Sequence, residues 1–343
     1  MSSLNVFDEF IKKINSDSSL REQDKATVLR NLSTLKDTKV NILITGATGA
    51  GKSSTINALF NFDKAKVGTG VDPETMDIKK FELDNIILFD SPGLGDGKEA
   101  DRKHAKNIIN KLVEKDNNGD LLIDLILVIL DGSSRDLGTS FELINNVIIP
   151  NLGDDKSRLL IAINQADMAM KGKFWNSEEN LPEPKLQEFL DEKVISTQRR
   201  IKEATGIDIE PIYYSAGYKD GDDEQQPYNL SKLLTFILRH TKKEKRAVFM
   251  QDINKKDEMW EKDDKLEDYQ KEIKKSFMES LVESASKGAT QGANIGGAIG
   301  SLFGKAGEAV GRTVGGVVGG IVGGIAKFLI IYHNRSYGIL NRF

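Results

Sequence analysis

The sequence predicts an α/β fold with a mainly parallel sheet, flanked by N-terminal helices and by a C-terminal helical, glycine-rich region. Three observations lead to it. The apolar run Val40-Asn41-Ile42-Leu43-Ile44 is followed by a glycine-rich turn and then by Thr55-Ile56-Asn57-Ala58-Leu59-Phe60, which reads as helix. From Val40 to about His240, apolar strands alternate with helical segments, the signature of a parallel sheet covered on both faces. Beyond His240 the composition changes, first to dense charge of both signs and then to glycine at regular intervals.

Taken in order, residues 1–38 place Phe7, Phe10, Ile11 and Ile14, then Val28, Leu29, Leu32 and Leu35, at helical spacing, so two helices are expected there. Within 39–240 the expected strands are Val40 to Thr45, Met76 to Leu83, Ile86 to Asp90, Leu122 to Leu130, Leu159 to Asn164 and Pro211 to Ser215. The acidic, polar tract from Asp220 to Gln226 reads as a solvated loop. Residues 241–287 form a charged helical linker: from Thr241 to Lys275, Phe249, Ile253, Trp260, Leu266, Tyr269 and Ile273 are interspersed among charges, as on a long, exposed, salt-bridged helix. Residues 288–343 carry the glycine ladder.

A chain of 343 residues suffices for two domains with a buried core. Its formal net charge of -4, with 29% charged residues, argues against a general nucleic-acid binder, which needs a basic face. The absence of cysteine excludes disulfides and thiolate zinc sites. The start, Met1 to Glu9, lacks the basic and apolar segments of a signal peptide, which points to a cytoplasmic protein. The histidines, His104, His240 and His333, lie far apart and suggest no metal cluster.

The chemistry is concentrated at expected strand ends. Gly46-Ala47-Thr48-Gly49-Ala50-Gly51-Lys52-Ser53, with Ser54 after it, sits between strand and helix, the order a phosphate-binding loop requires. Its small residues let backbone N–H groups and the helix N-terminus face a triphosphate; Lys52 can reach the β and γ phosphates, and Ser53 can hold Mg²⁺ through its hydroxyl. Asp90-Ser91-Pro92-Gly93 follows the strand Ile86-Ile87-Leu88-Phe89, where Asp90 suits the Mg²⁺ shell and the Gly93 N–H suits a sensor of the γ phosphate. Asn164-Gln165-Ala166-Asp167 follows another apolar strand. The carboxylate of Asp167, an acceptor only, matches the paired N1–H and N2 donors of guanine, which adenine does not offer, so GTP is favoured over ATP. Ser215-Ala216 completes the set, with a backbone N–H for the guanine O6.

On these residues the segment 40–240 resembles GTPases of the translation-factor-related class, close to the Era-like and immunity-related GTPases. The resemblance is carried by Gly46 to Ser54 with Ile56-Asn57-Ala58-Leu59, by Thr69-Gly70-Val71 followed by Thr75-Met76, by Asp90 to Gly93, and by Asn164 to Asp167; it does not reach the C-terminal region. It implies that Thr75 is the threonine that closes on Mg²⁺ and the γ phosphate, with Thr69 the rival for that role. The catalytic set is then Lys52, Thr75 and Gly93; the nucleotide-binding set adds Gly46, Gly49, Ala50, Gly51, Ser53, Ser54, Asn164, Gln165, Asp167, Ser215 and Ala216; and the metal set is Ser53, Thr75 and Asp90. Three departures stand out. Gln165 replaces the usual lysine whose stem packs on the guanine plane, Gly49 lacks the asparagine of potassium-activated relatives, and Leu94 stands where some relatives place a water-orienting glutamine. Hydrolysis is therefore expected to need a second subunit or partner, with self-association through the nucleotide domain the leading route and Arg135, in Ser133-Ser134-Arg135-Asp136, an in-cis candidate.

At the other end, Gly288, Gly292, Gly296, Gly300 and Gly304 recur every four residues, as do Gly307, Gly311, Gly315, Gly319 and Gly323. That spacing lines one helix face, and each glycine costs a soluble helix about 0.5–1 kcal/mol relative to alanine unless close backbone contact offsets it. Packed membrane helices use small residues this way. From Val314 to Tyr332 there are 19 residues with Lys327 the sole charge, close to the roughly 20 that span a core of about 30 Å. Three readings follow for this region: a membrane-associated hairpin turning near Gly304 to Gly307, a soluble glycine-seamed hairpin, or a flexible tail. The combined expectation is a GTP- and Mg²⁺-dependent GTPase switch, coupled to membrane lipid through the ladder. The alternative is a nucleotide-gated, membrane-acting or pore-forming effector whose turnover is incidental.

Overall fold

A computed structural model describes residues 6–289 apart from 17, 19, 61–65, 69–77 and 221–222. Thr69, Thr75 and the ladder from Thr290 onward lie outside the described residues. The described residues divide into two compact units, one within 6–39, 243–257 and 268–289, the other within 40–242 and 258–267.

In the first unit, the two N-terminal helices are α1 (Val6–Ser16) and α2 (Glu22–Asp37). They bury Phe7, Phe10 and Ile14 from the one and Val28, Leu32 and Leu35 from the other, the three-and-four spacing of an amphipathic helix. Both are short for independent stability, so tertiary contact must hold them.

The second unit is a seven-stranded sheet. Its members are β1 (Val40–Thr45), β2 (Lys66–Gly68), β3 (Lys79–Glu82), β4 (Ile86–Asp90), β5 (Leu125–Asp131), β6 (Leu159–Asn164) and, after the two-stranded pair β7 (Trp175–Asn176) and β8 (Leu181–Pro182), β9 (Ile212–Tyr213). The spatial order is β2-β3-β4-β1-β5-β6-β9. β4, β1, β5, β6 and β9 run parallel, and β2 and β3 add an antiparallel edge. Leu125 to Leu130 and all of β6 are buried, as strands covered on both faces must be, which is why they read as unbroken apolar runs.

Helices cover the sheet: α3 (Lys52–Leu59), α4 (Lys98–Val113), α5 (Gly138–Glu142), α6 (Pro184–Thr205) and α7 (Leu230–His240). α6 starts on Pro184 and stops at Gly206, whose left-handed φ of 73° only glycine adopts cheaply. Strand order reverses about β1, whose neighbours β4 and β5 follow it by separate crossovers, so the loops after β1, β4, β5 and β6 leave one sheet edge around a topological switch point.

Five expectations shift. The strand expected from Met76 is confined to β3, with its first residues outside the described set; the one expected from Leu122 begins at Leu125 and reaches Asp131; Pro211 to Ser215 contracts to β9, because only Ile212 and Tyr213 pair with β6. The tract expected as a solvated loop, Asp220 to Gln226, carries the second strand of an antiparallel pair, β10 (Tyr218–Asp220) with β11 (Asp223–Gln225). The long exposed helix expected over 241–275 is broken. Phe249–Asp252 is a short helix (α8), and the next regular helix is α9 (Tyr269–Ser286). α9 belongs with α1 and α2: it buries Tyr269, Ile273, Phe277, Leu281 and Ala285, and the Asn31 amide of α2 donates to Ala285 O at 3.0 Å and Lys287 O at 2.8 Å, satisfying carbonyls at its C-terminus. Asp268 caps its start by accepting from Lys271 N at 3.0 Å.

Between them, residues 258–267 join the second unit as a strap across the start of α7. Trp260 is 1% exposed and its carbonyl accepts from Ser231 Oγ at 3.0 Å, Lys232 pairs with the buried Asp264 at 2.7 Å, and Asn229 Oδ1 accepts from Asp264 N at 2.8 Å. Next to this pair, burial pushes the Asp263 carboxyl up to about 6, with the polar groups of Ser231 and Lys232 nearby opposing the shift. A carboxyl raised above its unfolded value destabilises the folded chain when ionised, so that penalty is full above pH 6 and vanishes as pH falls below 4. Asp263→Asn is expected to raise unfolding stability by about 1–2 kcal/mol at pH 8, with no gain at pH 3.5; urea titrations at the two pH values check it.

Candidate functional site

The end of β1 must turn sharply beside β5. A Cβ on Gly46 would lie 2.1 Å from Ile129 O, so the loop approaches the neighbouring strand as closely as a bare backbone allows. Gly51, just before α3, is left-handed (φ 84°), and a Cβ there would meet the Asn164 side-chain nitrogen at 2.2 Å. Ala50 is fully buried between them, whereas Ser53 and Ser54 face solvent at the start of α3. Lys52 Nζ donates to Gly46 O at 2.8 Å and Ala47 O at 3.2 Å, so its ammonium lies inside its own loop.

Asn164, the last residue of β6, joins this loop to the next. Its Nδ2 donates to Ala50 O at 2.9 Å and its Oδ1 accepts from Ala216 N at 2.9 Å. One buried amide thus fixes the phosphate-type loop and the loop after β9 against each other. Gln165, left-handed at φ 59°, adds a second tie, Nε2 to Gly49 O at 2.7 Å. Asp167 is 8% exposed and its Oδ1 accepts from Ser215 Oγ at 2.6 Å, leaving Oδ2 for another donor.

Asp90 ends β4 beside Ile44 of β1. Its Oδ1 is buried without a hydrogen-bond partner. Burial pushes the Asp90 carboxyl up, opposed by Lys52 and Lys79, and burial pulls the Lys52 ammonium down, opposed by Asp90. Each charge is therefore partly desolvated and favours a nearby opposite one. Beyond it, Gly93 packs on the first loop so closely that a Cβ would lie 2.5 Å from Gly46 O. Leu94 is half-buried and packs against the hydrophobic cluster of the sheet.

The structure thus brings Gly46, Gly49, Ala50, Gly51, Lys52, Ser53, Ser54, Asp90, Gly93, Asn164, Gln165, Asp167, Ser215 and Ala216 to the loops of one sheet edge. Thr75 and its rival Thr69 lie outside the described residues. Arg135 is exposed and lines a cavity with α6 in which none of these loop residues takes part.

Three supporting residues are missed by the sequence reading. Thr55 Oγ1 lies 2.6 Å from the Tyr214 hydroxyl and 2.8 Å from Gly51 O, buttressing the first turn of α3 from β9; Tyr214 is fully buried and its hydroxyl is held well above its ordinary pKa by that burial. His104 of α4 has Nδ1 3.1 Å from Gly93 O, which makes Nδ1–H the donor and ties the Asp-x-x-Gly turn to the helix after it. A tyrosine beside the Ser215-Ala216 pair is the one signal of these that motif reading offers. The Thr55–Tyr214 contact itself joins segments 159 residues apart, and His104 reaches Gly93 from 11 residues further on.

The chain is 33% identical over 105 residues to the probable GTP-binding protein EngB of Neisseria meningitidis serogroup B, and likewise to that of Neisseria gonorrhoeae; the match covers 30% of this chain and 49% of either relative, so the chain spans about half the length of the relatives it matches. Among solved structures, Toc33 from Arabidopsis thaliana in complex with GDP and Mg²⁺ aligns with 71% of this chain and 99% of that one at 15% identity and a TM-score of 0.41. A probable GTP-binding protein engB aligns with 59% of this chain and 98% of that one at 22% identity and a TM-score of 0.35. Residues 41–165 match the family described as 50S ribosome-binding GTPase, and the chain therefore contains a P-loop GTPase domain.

Proposed function

We propose that the protein binds GTP and hydrolyses it to GDP and phosphate, acting as a switch of the translation-factor-related class near the Era-like and immunity-related GTPases. The observation that carries the reading is the Asn164 amide, whose bonds to Ala50 O and Ala216 N hold a phosphate loop and a base loop as one site, with the free oxygen of Asp167 beside them. The buried, unpartnered Asp90 Oδ1, in a carboxyl desolvated by its surroundings, supports Mg²⁺ as the companion ion.

In this reading Lys52 leaves its loop carbonyls for the phosphates, and the amides of Gly49 to Ser53 neutralise their charge. Ser53 and Thr75 would hold the metal and Asp90 its water shell; bound Mg²⁺ would supply charge neutralisation on the phosphoryl oxygens. Asp167 Oδ2 and the Ala216 N–H select guanine, while Gln165 gives the base plane weaker support than a lysine stem. Loss of the γ phosphate frees the segments around Thr75 and Gly93. Leu94, turned to the core, cannot orient water, so turnover depends on a second copy pairing through the nucleotide domain. The glycine ladder, Gly288 to Gly323, couples the switch to a membrane; its spacing in the sequence is the support for that step, and no helix of the described residues is long and apolar enough to cross a membrane.

Two outcomes check this reading. Asp167→Asn exchanges an acceptor for a group that can donate to the 2-carbonyl of xanthine. GTP affinity is expected to fall about 30-fold or more while XTP affinity rises, both by calorimetry; unchanged selectivity removes Asp167 from base recognition. GTP turnover per subunit is expected to rise with protein concentration, and single-turnover rates independent of concentration would contradict activation by pairing.

A further inference from the structure

Beside the proposed nucleotide loops, the loop after β5, the segment after Asp167 and one face of α6 border an open cavity of about 750 Å³, within the volume range that holds a small organic ligand. Its polar lining is one-sided. Arg135, Lys171, Lys173, Lys193 and Arg200 face it against the single carboxylate of Glu192. Its apolar lining includes Phe141, Met170 and Phe189. Two of the cations already lie on these rings: the Arg200 guanidinium is 5.4 Å from the Phe141 centroid, and Lys193 Nζ is 6.0 Å from that of Phe189.

Lys193 belongs to the wall. Its ammonium donates to Gly132 O at 2.6 Å and Ser134 O at 2.7 Å, fixing the loop after β5 to α6, and burial pulls its pKa down. The side chains of Arg135, Lys171 and Lys173 form no ion pair or hydrogen bond among the described residues, and all three residues are exposed at the rim. Met170 and Lys171 are held left-handed at φ 54° and 62°, conformations that side-chain-bearing residues adopt at a cost, and this bend presents both to the cavity. A hollow with an aromatic floor and unpaired cations at its mouth fits a ligand with two parts.

We propose that this cavity is a second ligand site, separate from the nucleotide loops, for a small amphipathic anion: an aromatic or aliphatic body that lies on Phe141, Met170 and Phe189, with a phosphate, sulfonate or carboxylate head among Arg135, Lys171 and Arg200. A nucleic acid fits less well, because the site is concave and the whole chain carries a net charge of -4.

The probe is 8-anilinonaphthalene-1-sulfonate, an aromatic anion whose fluorescence rises on binding, titrated into the full chain beside its uncharged analogue N-phenyl-1-naphthylamine. Saturable one-to-one binding of the sulfonate is expected, weakened by added KCl, and about tenfold or more weaker in Lys171→Glu/Arg200→Glu, with the uncharged probe bound poorly. If the charge reversal lowers the thermal midpoint, Lys171→Gln/Arg200→Gln carries the same comparison at smaller amplitude. Excess GDP is expected to leave the titration unchanged. Equal affinity in the variants, equal affinity for the uncharged probe, displacement by GDP, or no saturable binding by the intact chain would each overturn the proposal.

Discussion

The loops at one edge of this sheet depend on a single buried carboxamide. Asn164 closes β6 with its donor on Ala50 O and its acceptor on Ala216 N, and both bonds are sheltered from water. A buried hydrogen bond contributes only about 0.5–1.5 kcal/mol net, but an unpaired buried polar group costs about 1–3 kcal/mol. Losing this side chain would strand a carbonyl in one loop and an N–H in another. Around it the backbone has no slack: Gly51 lies against the same amide, Gly132 N donates to Asn164 O at 2.7 Å, and a Cβ on Gly132 would sit 2.3 Å from that oxygen. Three loops from three strands are thus pinned to one residue.

Electrostatics complete what the amide positions. Lys52 opens α3 and Asp90 ends β4, each desolvated, each shifted by burial toward its neutral form and each restrained by the other. Lys52 meets its hydrogen-bonding need with loop carbonyls, while one oxygen of Asp90 has no donor. Such an arrangement favours a ligand that brings anionic and cationic charge together, since it gives each group the partner that burial denies it.

Much of this was legible in the sequence wherever local pattern and burial coincide. β1, β4 and β6 span the residues expected of them, because strands covered on both faces are mainly apolar, and each stops on a polar residue, Thr45, Asp90 or Asn164. The motif residues gather because each follows such a strand in a parallel sheet, which sends all of its C-terminal ends one way. Reading fails where partners decide the outcome. The charged hairpin at 218–225 has none of the β-rich composition that marks a strand, and Trp260 and the acids around it look like an exposed helix until Ser231 and Lys232 supply their partners. The packing of α9 with α2 joins segments some 250 residues apart, beyond any periodicity, and Asn31 gives no local sign that it will close a distant helix.

The most direct test of this account is calorimetry of GDP binding to Asn164→Ala, with urea unfolding of the same protein alongside. If the amide holds phosphate and base loops as one site, GDP affinity falls about 30-fold or more while the variant still unfolds cooperatively. GDP affinity within about twofold of the parent chain would show that the two loops keep their places without it, and would contradict the account.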